Sequence, residues 1–247
     1  MTLNAAPEAP EIPLALAGRR ALLRALYGSS PDDLFFELRC IHPVTGEARA
    51  LWSPVGDRAR LAEKLRQAEA LNTEGFGIFF APCLRRTMKG SADAAVYMPA
   101  LWIDIDCGGD EREGALDRLK AFDPPPSFVV DSGGGLHGYW VLDEPVTLKT
   151  TSDRARMARY LHGLFAVLGG DPAYSKSVAS VMRLPDTVNT KPERGGAVAQ
   201  VIAAYPDRRY PLSVFDWLKT SPEAAPTPVG QGADRDSTNG QHPLPPR

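Results

Sequence analysis

Six predicted segments between Ala100 and Tyr205 follow the order strand, helix, strand, strand, helix, strand. The strands are short apolar runs such as "ALWIDID", and the second helix, "TSDRARMARYLHGLFAVLGG", has capping residues, apolar residues at helical spacing and two terminal glycines. This order is the split unit of ferredoxin-like and RNA-recognition-motif (RRM) sheets, in which the third strand inserts between the first two. The sequence therefore predicts an α+β fold with an RRM-like βαββαβ sheet.

The rest of the chain divides around this unit. Residues 1–32 are predicted to be an N-terminal extension with a helix, and residues 33–99 an N-terminal α/β unit packed against the sheet. Residues 100–220 form the RRM-like unit. Residues 221–247 contain six prolines and three glycines, a composition that predicts a disordered tail or a linker.

Composition excludes several classes of protein. The 28 basic and 30 acidic side chains leave a formal charge of -2, so a site for a polyanion has to be a local patch. Cys40, Cys83 and Cys107 are widely spaced and form no CxxC pair, which argues against a disulfide framework and a structural zinc. The sequence shows no signal-peptide pattern and no membrane-spanning run. We expect a cytoplasmic protein that does not interact with membranes.

Two carboxylates lie on one face of the first predicted strand. Because side chains alternate along a strand, Asp104 and Asp106 point away from Ile103 and Ile105, which face the helices. Ionised carboxylates this close are stable mainly around a hard cation. The alternative is a solvated strand end.

The stretch "SGGGLHGYW", Ser132 to Trp140, joins the second and third strands. Three glycines leave the backbone of the turn accessible, and His137 enters the strand beside them. Taken alone, the glycines would be a flexible hairpin and the histidine a structural or solvated one. The predicted topology, however, brings the glycine turn, the imidazole and the two aspartates to one edge of the sheet, an arrangement that suits a metal-bound triphosphate.

Further polar residues follow the second helix. Holding two metal ions requires a third acid, for which Asp171 is the candidate; a loop-capping aspartate is the alternative. "MRLPDTVNTK" places Arg183, Asn189 and Lys191 in an irregular segment. Cations there would contact triphosphate or template phosphates, unless the segment is simply a solvated loop.

The segments "LWIDID", "SGGGLHGYW", "GGDPAYS" and "RLPDTVNTK" resemble the archaeo-eukaryotic primase superfamily, most closely its RepB-like and primase-polymerase members from plasmids, phages and integrated elements. The resemblance spans roughly Leu34 to Tyr205. It implies a catalytic set of Asp104, Asp106, His137 and Asp171, with the three aspartates as metal ligands. Upstream, "IFFAPCLRR" is similar to a strand that ends in a Pro and Arg segment in that family.

The resemblance implies a template-dependent nucleotidyltransferase, a DNA primase or primase-polymerase, that makes or extends primers on single-stranded DNA with two Mg²⁺ or Mn²⁺ ions and no zinc. His137 would donate to a triphosphate oxygen. The other predicted nucleotide-binding residues are Ser132, Gly134, Gly135, Arg183, Asn189 and Lys191, and those predicted to follow the DNA template are Arg85, Arg86 and Lys89. No GxxxxGK[ST] motif is present, so a helicase would act in trans.

At two positions the sequence departs from the motifs of that family, and these departures leave a second function open. The family often has serine where this chain has Gly135, and glycine where it has Asp186, which would add negative charge near the nucleotide. Both departures favour a catalytically silent, DNA-binding replication-initiator module of the same fold. A nicking endonuclease of the HUH type is a third reading, but it needs two histidines flanking one hydrophobic residue, and His42, His137 and His162 have no partner at that spacing.

Overall fold

The computed structural model describes residues 14–170 and 177–220, so the predicted tail and Asp171 lie outside the described residues. The helices are α1 (Leu14–Tyr27), α2 (Arg58–Thr73), α3 (Glu111–Ala121) and α4 (Thr151–Leu168). The strands are β1 (Phe35–Ile41), β2 (Ala48–Pro54), β3 (Gly77–Phe80), β4 (Leu84–Arg85), β5 (Ala95–Asp106), β6 (Phe128–Asp131), β7 (Gly135–Thr147), β8 (Met182–Arg183) and β9 (Gln200–Ala204). The 3-10 helices are Ala92–Ala94, Pro192–Arg194 and the longer Leu212–Thr220.

The RRM-like unit consists of β5, α3, β6, β7, α4 and β9. As predicted, β7 lies between β5 and β6 and is antiparallel to both. The closing strand β9 pairs with β6, whereas the fourth strand of a ferredoxin-like sheet lies beside the first. The other edge of β5 is occupied by β4, which comes from the N-terminal part of the chain. The α+β class is confirmed, and the position of β9 is a variation on the ferredoxin-like order.

The N-terminal strands extend the same sheet. Its order is β8-β3-β1-β4-β5-β7-β6-β9, with β2 paired to β1. Strand β5 runs across residues 99 and 100, where the sequence analysis placed a boundary between two units. The N-terminal and RRM-like units are therefore continuous in hydrogen bonding, and β5 is a central strand of both.

Helix α4 covers the face of the sheet opposite the two aspartates. It begins with a capping box between Thr150 and Asp153 and ends at Gly169, whose φ of 73° is in the left-handed region. Its apolar stripe packs on β5, and Ile103 and Ile105 are buried on that side. The alternation predicted for β5 is therefore present, and it leaves the carboxylates on the other face.

The three cysteines are free thiols in the interior. Burial raises the pKa of Cys83 to about 12 and that of Cys40 to about 11, so both stay protonated. None of the helices found in residues 14–170 and 177–220 is long and apolar enough to cross a membrane.

Candidate active site

An open cleft lies where β5 ends and β7 begins. Eight of the residues predicted from the sequence line it: Asp104, Asp106, Ser132, Gly134, His137, Arg183, Asn189 and Lys191. Phe79, Val181 and Arg194 line it as well, and the sequence analysis did not single them out. The topology therefore brings together residues that are far apart in the chain.

The two aspartates and the glycine turn meet through the β5–β7 ladder. Asp104 pairs with His137, and Asp106 pairs with Gly135. His137 Nε2 lies 3.5 Å from Asp104 Oδ1. The side chain of Asp104 is 23 % exposed and that of Asp106 is 60 % exposed, so both carboxylates are open to the cleft.

His137 is a neutral imidazole in this environment. Its side chain is only 2 % exposed, and its Nδ1 lies 3.4 Å from the hydroxyl of Tyr139. Burial lowers the pKa of His137 to about 3, the positive charge of Arg183 acts in the same direction, and Asp131 opposes them. A neutral ring has one donor and one acceptor nitrogen, so it can donate a single hydrogen bond into the cleft.

Each of the three glycines in the turn is required for a different structural reason. Gly133 has a φ of 72°, which favours glycine, and its N–H donates to Asp131. A Cβ on Gly134 would lie 2.9 Å from Nε of Arg194, so this glycine makes room for a guanidinium. A Cβ on Gly135 would overlap the carbonyl oxygen of Ile105. Gly135 thus permits the close approach of β5 and β7.

Two of the predicted nucleotide-binding residues hold the turn in place. The hydroxyl of Ser132 donates to the carbonyl of Gly135 at 3.1 Å. The side-chain amide of Asn189 donates to the carbonyl of Ser132 at 3.2 Å, and Asn189 is 3 % exposed. These hydrogen bonds connect the segment after β8 to the turn before β7. They fix the conformation of the glycine turn beside the cleft.

The cleft is also lined by cationic side chains, those of Arg183, Lys191 and Arg194. The guanidinium of Arg183 stacks over the ring of Phe79, 4.6 Å from its centre, and is mostly buried. Lys191 is exposed at the rim. Arg194, which the sequence analysis missed, donates from Nη2 to Asp106 Oδ1 at 2.9 Å. No local sequence pattern could have paired Arg194 with a carboxylate 88 residues away.

The described carboxylates fit a hard divalent cation. Asp104 and Asp106 present oxygen ligands on one face of the open cleft, the donor type that Mg²⁺ and Mn²⁺ prefer. Within residues 14–170 and 177–220, no group of three or more His, Cys, Asp or Glu side chains is arranged around a common metal position. A Cβ on Gly170, the last residue described before Asp171, would lie 2.7 Å from the carbonyl oxygen of Asp104. The role of Asp171 stays a prediction.

Arg85 is not available to DNA, which corrects one of the predicted template contacts. Its side chain is fully buried, and its guanidinium donates to Glu37 and to the carbonyls of Val178 and Ala179. Arg85 and Glu37 are neighbours only in the folded sheet, so the sequence did not show the pairing. Arg86 and Lys89 are exposed and stay candidates.

Asp186 also lies elsewhere than expected, because it does not line the cleft. Its carboxylate lies 3.6 Å from Nε of Arg19 in α1. Its φ of 63° is in the left-handed region, which glycine adopts without strain and other residues adopt rarely. The departure is conformational and adds no charge to the cleft. Gly135, the other departure, lies where a serine side chain would meet the backbone of β5.

Comparison with solved structures identifies the fold. The AEP domain of the cyanophage S-2L primase-polymerase is 21% identical, with a TM-score of 0.57 over 80% of this chain and 94% of that domain. The catalytic domain of primase RepB', solved in complex with initiator DNA, is 14% identical, with a TM-score of 0.57 over 81% of this chain and 90% of that chain.

A second structure of primase RepB' has 14% identity and a TM-score of 0.59 over 83% of this chain, which spans 60% of that longer chain. No family model matches the chain, and no curated protein matches it by sequence. The fold is therefore that of the primase-polymerase and RepB' primase catalytic domains, as the sequence motifs predict.

Proposed function

We propose that this protein is a template-dependent nucleotidyltransferase, a DNA primase or primase-polymerase, that synthesises or extends primers on single-stranded DNA. The observation that carries the proposal is the cleft itself. In a fold of the primase type, one cleft is lined by the carboxylates of Asp104 and Asp106, the imidazole of His137 and the cations of Arg183 and Lys191. An acidic group beside a cationic group is what a metal-bound triphosphate requires.

The cleft would hold two Mg²⁺ or Mn²⁺ ions through Asp104, Asp106 and the predicted third ligand Asp171. When bound, such ions lower the pKa of a primer 3'-hydroxyl and stabilise the leaving pyrophosphate. In the reaction, the 3'-oxygen forms a bond to the α-phosphorus, the bond from that phosphorus to the pyrophosphate oxygen breaks, and the hydroxyl proton leaves to solvent.

The remaining cleft residues bind and orient the nucleotide. Arg183 and Lys191 neutralise charge on the triphosphate, and stacking on Phe79 fixes the direction of the Arg183 guanidinium. The neutral ring of His137 donates one hydrogen bond to a phosphate oxygen. Asn189 acts indirectly, because its amide holds the carbonyl of Ser132 and with it the turn.

The template would follow the exposed basic residues beyond β4. Arg86 and Lys89 lie on the surface next to the buried Arg85. The RepB' neighbour was solved with initiator DNA, and we extend DNA binding from that protein to this chain. Replication of a plasmid, phage or other mobile element is the setting that this activity suits, with a helicase acting in trans.

The test is an incorporation assay on primed and unprimed single-stranded DNA with Mg²⁺ or Mn²⁺ and labelled ribonucleotides or deoxynucleotides. Wild-type protein should give metal-dependent, template-directed products. Asp104→Ala and Asp106→Ala should abolish them while thermal stability and DNA binding persist, because both carboxylates lie on the open cleft. Asp117→Ala, which removes an exposed carboxylate from α3, is the matched control.

Two outcomes would overturn the proposal. DNA binding by wild-type protein without incorporation under any metal and nucleotide condition would favour the silent initiator module. Equal incorporation by wild type and both cleft variants would place the chemistry outside this cleft.

A further inference from the structure

The most exposed carboxylate of the cleft already has a cationic partner. Asp106 Oδ1 accepts a hydrogen bond from Nη2 of Arg194 at 2.9 Å. This is the carboxylate that the proposed function assigns to a divalent ion. A guanidinium and a metal ion repel each other, so they compete for the same carboxylate oxygen.

The position of Arg194 leaves part of its hydrogen-bonding capacity unused. Its Nε is enclosed and has no hydrogen-bond acceptor among the described residues. A Cβ on Gly134 would lie 2.9 Å from that Nε and 3.0 Å from Cζ. The guanidinium thus lies against the bare backbone of the glycine turn, and it makes a single contact with Asp106 rather than a two-pronged one.

The two residues after Arg194 are glycines that form a tight, solvent-facing turn. Gly195 and Gly196 have φ values of 59° and 73°, and a Cβ on either glycine would meet nothing within 4 Å. Arg194 itself ends the short turn Pro192–Arg194. The side chain of Arg194 lines the cleft and is 23 % exposed, so its guanidinium is partly accessible to a ligand that enters there.

We propose that Arg194 is a latch on the metal site: it holds Asp106 in the free protein and transfers to the triphosphate when a metal-bound nucleotide enters. This inference rests on the proposed function and adds a coupling between metal and nucleotide. A metal ion alone has to displace the guanidinium without offering it a new partner. A metal-bound triphosphate brings both the ion for Asp106 and phosphate oxygens for the planar fork of Arg194.

The latch predicts opposite effects of one substitution on two ligands. Arg194→Ala should bind Mn²⁺ alone about threefold more tightly than wild type, since a half-exposed ion pair is a weak competitor. The same variant should have a KM for nucleoside triphosphate about tenfold higher, because a charge-assisted contact to phosphate is lost. The factor by which triphosphate increases Mn²⁺ affinity should shrink accordingly.

The experiment titrates Mn²⁺ by electron paramagnetic resonance with and without nucleoside triphosphate, on wild type, Arg194→Ala and Arg194→Gln. The glutamine variant removes the charge while keeping a polar side chain, so agreement between the two variants excludes a local packing effect. Arg49→Ala is the matched control, because Arg49 pairs with Glu47 at 2.8 Å outside the cleft. Thermal unfolding checks that all variants fold.

The outcomes distinguish a failure of the latch proposal from a failure of the proposed function on which it rests. Variants that bind Mn²⁺ alone no more tightly than wild type overturn the latch, and the proposed function stands if Asp106→Ala still loses Mn²⁺ and incorporation. A wild-type protein that binds no Mn²⁺ even with triphosphate overturns both. Tighter binding of Mn²⁺ alone together with a raised KM supports the latch.

Discussion

His137 lies directly opposite Asp104 in the β5–β7 ladder, with its Nε2 3.5 Å from Asp104 Oδ1. The ring is almost completely buried, whereas the carboxylate reaches the cleft. A neutral imidazole therefore forms the floor beneath a carboxylate that is open to ligands. Protonation of His137 would place a charge in the protein interior, which makes this pair sensitive to acid.

The first prediction concerns stability at acidic pH in the absence of metal. The pKa of His137 in the folded protein is about 3, below the 6.5 of an unperturbed histidine. Below pH 6.5 the unfolded chain therefore takes up a proton that the folded protein does not. The contribution of neutral His137 to the free energy of unfolding is complete above pH 6.5 and is lost as the pH falls toward 3. At pH 5 the free energy of unfolding is lower by about 2 kcal/mol.

Denaturant unfolding of wild type and His137→Asn at pH 7 and pH 5 measures this effect. The free energy of unfolding of wild type should fall by about 2 kcal/mol more than that of the variant, which has no imidazole at this position. The other three histidines, His42, His162 and His242, are present in both proteins, so their contributions cancel. The same pH dependence in both proteins would show that His137 accepts a proton in the folded state.

The positions of the cleft carboxylates and of His137 could be predicted from the sequence because local rules govern them. Alternation along β5 and insertion of β7 are enough to place Asp104 beside His137. The contacts of Arg85 and Arg194 were not predictable in this way, since their partners Glu37 and Asp106 are 48 and 88 residues away. A periodic pattern reports which face a residue occupies. It does not report which distant side chain shares that space.

The second prediction addresses the glycine that replaces a serine of the related motif. Gly135→Ser should lower the free energy of unfolding by about 2 kcal/mol, because the new Cβ meets the carbonyl of Ile105 and backbone has to move. Incorporation should fall as well, since Asp106 pairs with this position. Gly108→Ser is the control, because a Cβ there meets nothing within 4 Å. If Gly135→Ser is as stable as Gly108→Ser, β5 and β7 do not require a glycine.

The third prediction tests the conformational explanation for Asp186. With a φ of 63°, the position accepts glycine readily and a β-branched residue poorly. Asp186→Val should therefore be less stable than Asp186→Gly by about 1 to 2 kcal/mol. Neither variant should change the KM for nucleotide, because the side chain does not line the cleft. A KM that changes with the charge at this position would place Asp186 near the nucleotide after all.

The last prediction separates the buried Arg85 from its exposed neighbours. Arg85→Met removes one guanidinium from Glu37, which is 1 % exposed and keeps its contact with Arg39. It also removes the donor to the carbonyls of Val178 and Ala179. Breaking a buried ion pair from one side is costly, so the free energy of unfolding should fall by about 3 kcal/mol. Arg86→Ala should change it by less than about 0.5 kcal/mol, as expected for an exposed side chain.

Affinity for single-stranded DNA should show the reverse order. Arg86→Ala and Lys89→Ala should each weaken binding and reduce the slope of log K against log salt concentration by about 0.7, the value for one lost phosphate contact on a single strand. Arg85→Met, measured where it is fully folded, should keep the wild-type slope because its guanidinium never reaches the surface. A reduced slope in Arg85→Met with unchanged stability would restore Arg85 as a DNA contact and contradict its burial between Glu37 and the Val178 carbonyl.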